Sequence, residues 1–154
     1  MVESDFNSMI TKSLNSQGGF GFKIPDERST ITGYHSKNPY DIFGLFEGHF
    51  IAWESKYLQK PQAFNFNRLE NHQIDNLIKA FELCPTSIAV FAIGVNFGRA
   101  DIRCFFWKNE ELYGIRERKL NNKSILKKEF ESLNNFVKIK KGQLNMKEIL
   151  LSEI

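Results

Sequence analysis

The spacing of apolar residues predicts an α/β domain in which a central mixed β-sheet is flanked by helices, and three stretches carry that prediction. Residues 3 to 15 set Phe6, Met9, Ile10 and Leu14 on one helical face. The runs Tyr40 to Phe46 and His49 to Tyr57 flank Glu47-Gly48, a two-residue turn in which glycine supplies a positive φ, and read as an antiparallel hairpin. Leu69, Ile74, Leu77, Ile78 and Phe81 recur at helical spacing over 69–83, ahead of an apolar run from Ser87 to Asn96 that reads as a buried strand.

Taken in order, Gln17-Gly18-Gly19 stops the first helix, and Phe20 to Ile24 forms a strand ended by Pro25-Asp26. Residues 27–38 are polar, without period, and read as a loop. The hairpin carries Phe43, Leu45, Phe50 and Ala52 on one side and Ile42, Phe46, Ile51 and Trp53 on the other, so it belongs inside a sheet covered on both faces. Asn67 is the expected N-cap of the 69–83 helix, which stops before Pro85. Strands over 87–96 and 100–108 are joined by Phe97-Gly98-Arg99. A basic helix near 124–133, a short strand at 136–140 and a terminal helix from Asn145 complete the chain. Its 15 Phe predict an aromatic core with some ring faces left as stacking platforms.

Length and composition, 154 residues with 42% hydrophobic and 25% charged, suit a single core. Two unpaired Cys and an acidic start without a secretory apolar region favour a cytoplasmic protein without disulfides. No membrane association is expected, because the run Ser87 to Val95 is far shorter than the roughly 20 residues a spanning helix needs. Three His and two Cys lack zinc spacing, Gly18-Gly19-Phe20-Gly21 lacks the ending of a phosphate loop, and no Ser has a matching His and acid. The net charge is +3, and 12 of the 21 Lys and Arg fall between Arg103 and Lys147. A phosphate-binding surface and an ordinary solvated face both fit that distribution.

The hairpin register yields a chemical site. With Glu47 and Gly48 as the turn, cross-strand partners sum to 95, so Phe46 faces His49 and Asp41 lies opposite Glu54. Directly opposed Cβ atoms are about 4.5–5.5 Å apart, which lets both carboxylates reach one ion, and alternation puts Lys56 on the same side. Like charges facing each other in a buried sheet repel and are costly to desolvate unless a cation compensates. Oxygen-only ligands favour Mg²⁺, with Mn²⁺ as the alternative, either of which would also touch a substrate phosphate. Such an ion lowers the pKa of bound water and stabilises phosphoryl oxygens, while Lys56 orients the nucleophile or neutralises developing charge. The plainer reading has Glu54 and Lys56 pointing to solvent from a strand end and Asp41 opening a strand after Pro39. Glu-x-Lys alone specifies nothing; its opposition to Pro-x-Asp does.

Pro39-Tyr40-Asp41, twelve residues, then Glu54-Ser55-Lys56 resembles the active-site pattern of the PD-(D/E)xK nuclease superfamily. The run Tyr40 to Lys56, with Phe64 and Asn71-His72-Gln73-Ile74, is similar to RecU-type Holliday junction resolvases of bacteria with low-GC genomes. The resemblance covers residues 1–113 and is strongest over 40–77. It implies a restriction-endonuclease-like fold and a homodimer that nicks four-way DNA junctions symmetrically with Mg²⁺. It also implies metal ligation by Asp41 and Glu54, a catalytic Lys56, and a polar site role for Gln73. Glu3, in Val2-Glu3-Ser4-Asp5, matches an acidic first-helix residue that reaches the metal through water; a carboxylate favoured by the helix dipole is the other reading. In the family a long stalk precedes the Asp, whereas here only Pro25 to Asn38 is available, with Arg28, Tyr34 and Lys37.

The expectation is a single nuclease domain over 1–154, with a catalytic core over 1–113 and a basic extension over 114–154. Arg28, Lys37, Lys60, Arg68, Arg116, Arg118 and Lys119 are the residues expected to meet DNA. Two strands cut in concert require two sites, which favours a two-fold dimer. A nuclease for other structured DNA and a non-catalytic DNA-binding recombination factor are the alternatives.

Overall fold

The computed structural model describes residues 1–25 and 38–152. Helix α1 (Glu3–Ser16) buries Phe6, Ile10 and Leu14, the stripe that four-residue spacing places on one side, while Glu3 and Asp5 meet the positive end of its dipole. It stops where Gly18 adopts φ +87° and the Gly19 amide donates back to the Leu14 carbonyl at 2.9 Å. Strand β1 (Phe20–Lys23) leads to the hairpin of β2 (Ile42–Phe46) and β3 (His49–Leu58). Glu47 and Gly48 have φ of 46° and 81°, the two positive values of a tight hairpin turn. They set the pairing that runs from Phe46 against His49 to Ile42 against Trp53.

Helix α2 (Asn71–Leu83) is the crossover that makes β3 and β4 (Ile88–Asn96) parallel. Strand β5 (Ile102–Lys108), helices α3 (Glu111–Leu120) and α4 (Lys127–Ser132), strand β6 (Phe136–Lys138) and helix α5 (Met146–Leu150) follow. The six strands lie in the order β1-β2-β3-β4-β5-β6, antiparallel everywhere except β3–β4. This is the mixed sheet flanked by helices that the apolar spacing predicts.

Helices α1 and α5 cover one face, packing Phe6, Ile10, Met146 and Ile149 against Ile42, Ile51, Trp53 and Val90. Helices α2, α3 and α4 cover the other, with Ile74, Leu77, Ile115 and Phe130 against Ala52, Phe91, Ile93 and Phe105. Strands β3 and β4 are therefore covered on both sides, which is why they read as near-continuous apolar runs. Nine of the 15 Phe are buried, each stabilising the fold by roughly 1.5–3 kcal/mol relative to exposure. Where α1 crosses β4 the strand carries Gly94. A Cβ there would stand 2.7 Å from Tyr57 Cδ2 and 3.0 Å from Phe6 Cζ, so its absence lets those two rings meet.

Several elements differ from expectation. Helix α2 starts at Asn71 with Glu70 as N-cap, because residues 66–68 form a 3₁₀ turn whose Asn67 amide is met by the Asn65 side chain. Asn67 is inside that turn and caps nothing. Strand β5 begins at Ile102, since Arg99 and Ala100 both take positive φ in the preceding turn. Helix α3, absent from the sequence reading, buries only Leu112 and Ile115 and carries Gly114, so its apolar stripe is too sparse to stand out. The hairpin is not fully covered: Leu45, Phe20 and Phe22 are exposed on the face that also carries Phe43. The loop expected over 27–38 lies, apart from Asn38, outside the described residues.

The C-terminal third joins the same sheet and core, β6 pairing with β5 and α5 burying Met146, Ile149 and Leu150. Lys108, 4% exposed, pins the chain beyond α5: its Nζ donates to the Ser152 carbonyl (2.8 Å), the Ser152 hydroxyl (3.2 Å) and the Leu150 carbonyl (3.4 Å). Among the described residues, no helix is long and apolar enough to cross a membrane.

Candidate active site

Alternation along β3 sends Glu54 and Lys56 to the face covered by α2. Asp41 sits one residue before β2, with its amide donating to the Trp53 carbonyl (3.0 Å) and its carbonyl accepting from the Ile24 amide (2.8 Å). The paired register ends at Ile42 against Trp53, and the Asp41 amide bonds that same Trp53 carbonyl, one residue out of register, yet the Asp41 and Glu54 carboxyls come within hydrogen-bonding reach. The Ser55 amide holds Asp41 Oδ2 at 3.2 Å.

Glu54 is fully buried. Its Oε1 accepts a hydrogen bond from Gln73 Nε2 (2.7 Å) and lies 3.7 Å from Lys56 Nζ, whereas its Oε2 is buried without a hydrogen-bond partner. Burial above all, then the charge of Asp41, holds the Glu54 carboxyl well above the usual range, with Lys56 opposing. Gln73 stands in the first turn of α2, and its Oε1 accepts from the Glu70 amide at 2.8 Å. With the oxygen engaged there, the amide has only its NH₂ end to offer Glu54.

Glu3 reaches the same place from α1. Its Oε1 lies 3.7 Å from Lys56 Nζ and its Oε2 3.6 Å from Arg68 Nη2. Burial raises its pKa most, Lys56 and Arg68 lower it, and Asp41 adds to the rise. Glu3 thus faces two cations, and among the described residues no three His, Cys, Asp or Glu close on one point. The Asp41–Glu54 pair still fits a hard divalent cation. Among the described residues, one Glu54 oxygen is buried without a nitrogen donor, the ligating atoms are all oxygen, and three carboxyls face two cationic side chains. Mg²⁺ needs only one or two protein carboxylates, since water and phosphate fill its other positions.

The other residues expected to meet DNA are dispersed. Arg28 and Lys37 lie outside the described residues, and Lys60 is exposed just beyond β3. Arg116, Arg118 and Lys119 share α3, away from the carboxylates. There Arg118 is bound to Glu129 at 2.6 Å, Arg116 lies over the Tyr113 ring, and Lys119 donates to the Phe66 carbonyl at 3.1 Å. Among the described members of that group, Arg68 stands beside Glu3. The sequence reading overlooked Ser55, whose backbone positions Asp41; no residue type advertises a main-chain donor. A cavity of about 510 Å³ lies elsewhere, between Gln17, Val137, Leu144 and Glu148.

The mixed sheet thus brings Glu54 and Lys56 of β3 together with Asp41, which immediately precedes β2. The chain belongs to the RecU family, Recombination protein U, which matches residues 12–150 and so extends past the 113 residues over which the resemblance was legible. That family is one of Holliday junction resolvases acting in recombination, and membership implies endonuclease activity. A comparison with curated proteins finds no match. Among solved structures, the chain is similar to Hjc of Archaeoglobus fulgidus, a Holliday junction resolvase from an archaeal hyperthermophile. The identity is 16% and the TM-score 0.42, over 75% of this chain and 98% of that one.

Proposed function

We propose that this chain hydrolyses DNA phosphodiesters at four-way junctions with Mg²⁺, as a homodimer that presents one site to each cut strand. The observation that carries the reading is the buried Glu54 carboxylate with one oxygen unanswered and a second carboxylate, Asp41, across the hairpin. Asp41 and Glu54 would hold the cation, which when bound lowers the pKa of a coordinated water and neutralises charge on the phosphoryl oxygens. The protein's own groups do the rest. Gln73 keeps Glu54 aimed through its NH₂, and the Ser55 amide keeps Asp41 turned toward it. Lys56, 12% exposed, carries a positive charge next to Glu54 and steadies the negative charge that builds on phosphorus oxygens as water adds and the ester bond breaks. Neither carboxylate needs to bond covalently to substrate.

The test is nicking of a four-way junction, a duplex and a single strand, each with and without Mg²⁺, by the parent, Asp41→Asn and Glu54→Gln. Cleavage by the parent that needs Mg²⁺ and disappears in both variants supports the site. Equal nicking by all three proteins rejects it, and equal cutting of all three DNAs rejects junction selectivity.

A further inference from the structure

We propose that Lys56 and Arg68 form a seat for a backbone phosphate of the bound DNA, and that the Glu3 carboxylate fills this seat while DNA is absent. The inference rests on the nuclease reading for its substrate, but not for its geometry. Glu3 spans the two cations with one oxygen each, at 3.7 and 3.6 Å. A phosphodiester offers the same pair of equivalent anionic oxygens, and a guanidinium and an ammonium a few ångströms apart recognise either anion.

The seat exists without Glu3. Arg68 donates to the Tyr57 carbonyl at 3.2 Å and its guanidinium lies 5.6 Å from the centre of the Phe64 ring, so main chain and aromatic face hold it in place. Lys56 rises from the middle of β3, one residue before that carbonyl. Glu3 is the replaceable part. It stands in the first turn of α1 with its side chain 36% exposed, and both contacts are longer than a hydrogen bond. A rotamer change at the helix end withdraws it without disturbing Phe6 or Ile10. A phosphate entering beside an unmoved Glu3 would meet a third carboxylate, so DNA and Glu3 exclude each other there.

The proposal is tested by metal-free binding, with EDTA present, of a labelled four-way junction and a labelled duplex across a salt series. The parent is compared with Arg68→Ala, Arg68→Gln, Arg68→Lys, Glu3→Gln and the Glu3→Gln/Arg68→Gln double variant. Removing the Arg68 charge is expected to weaken binding about ten-fold on both DNAs and to reduce the salt slope by about 0.9, one phosphate contact. Arg68→Gln keeps a donor for the Tyr57 carbonyl, so the slope can be read even where Arg68→Ala melts early. Arg68→Lys restores the slope. Glu3→Gln binds several-fold more tightly than the parent, and that gain shrinks in the double variant. An Arg68→Gln protein with the parental slope overturns the seat. So does a Glu3→Gln protein with parental metal-free affinity, the pattern expected of a residue that serves only a metal. A parent showing the predicted binding pattern but no Mg²⁺-dependent nicking upholds the seat and rejects the nuclease reading.

Discussion

Glu54 on β3 and Lys108 on β5 are the two charged side chains that bury themselves among the described residues, and the protein treats them differently. Every donor of the Lys108 ammonium has an acceptor at the end of α5, where a cation also meets the negative end of the helix dipole. Among the described residues, Glu54 has one oxygen engaged by Gln73 and Lys56 and the other met by no nitrogen donor, with only the Asp41 carboxyl in reach. Burial moves both groups toward neutrality, Glu54 upward and Lys108 downward. The lesson is that a buried charge whose partners are complete fastens the fold, whereas one left half-partnered has room for a ligand.

The contrast breaks most visibly at Glu54. Glu54→Gln should lower Mg²⁺-dependent nicking by roughly 10²–10³-fold or more, in a single-turnover assay, while the protein stays folded and binds junctions at least as tightly. A metal-free Glu54→Gln protein that melts well below the parent would show that the carboxylate is structural after all. Lys108→Ala should do the opposite. It strands the acceptors at Leu150 and Ser152 and is expected to cost about 1–3 kcal/mol in urea unfolding, with nicking per folded molecule unchanged.

Gln73 belongs to both sides of the comparison. Gln73→Ala removes the donor to Glu54 and the acceptor for the Glu70 amide, so nicking is expected to slow about ten-fold and stability to fall by about 1 kcal/mol. The smallest effect is on pH dependence. Folded Glu54 keeps its proton to higher pH than the unfolded chain, whose carboxyl titrates near 4.5. Its contribution to stability is complete below that value and drains away as pH rises through the elevated folded pKa. The melting temperature in EDTA should therefore decline over that interval, Glu54→Gln should flatten the decline, and excess Mg²⁺ should offset it in the parent alone.

The local parts of this architecture were legible because short-range rules govern them. The Glu47-Gly48 turn sets the pairing of β2 with β3, and a period of two then decides which side of the sheet Asp41, Glu54 and Lys56 occupy. Helix α1 was legible because Phe6, Ile10 and Leu14 are large and regularly spaced. Helix α3 was not, with two buried apolar residues in ten. Contacts between distant parts of the chain had no local signal at all: the Lys108 clamp on Ser152, Lys119 on the Phe66 carbonyl, and Glu3 between Lys56 and Arg68. Alternation likewise said that Leu45 shares a face with Ala52, but not where the covering helices end.

Gly94 makes the depth at which α1 settles on the sheet a matter of one methyl group. Alanine, an innocuous substitution in most strands, would act here as a shim beneath Phe6. The helix would tilt or lift by a fraction of its width, and Glu3, three residues before Phe6, would move with it. Spacing between an acidic helix start and the strand below it is in this way controlled by an atom that is not there.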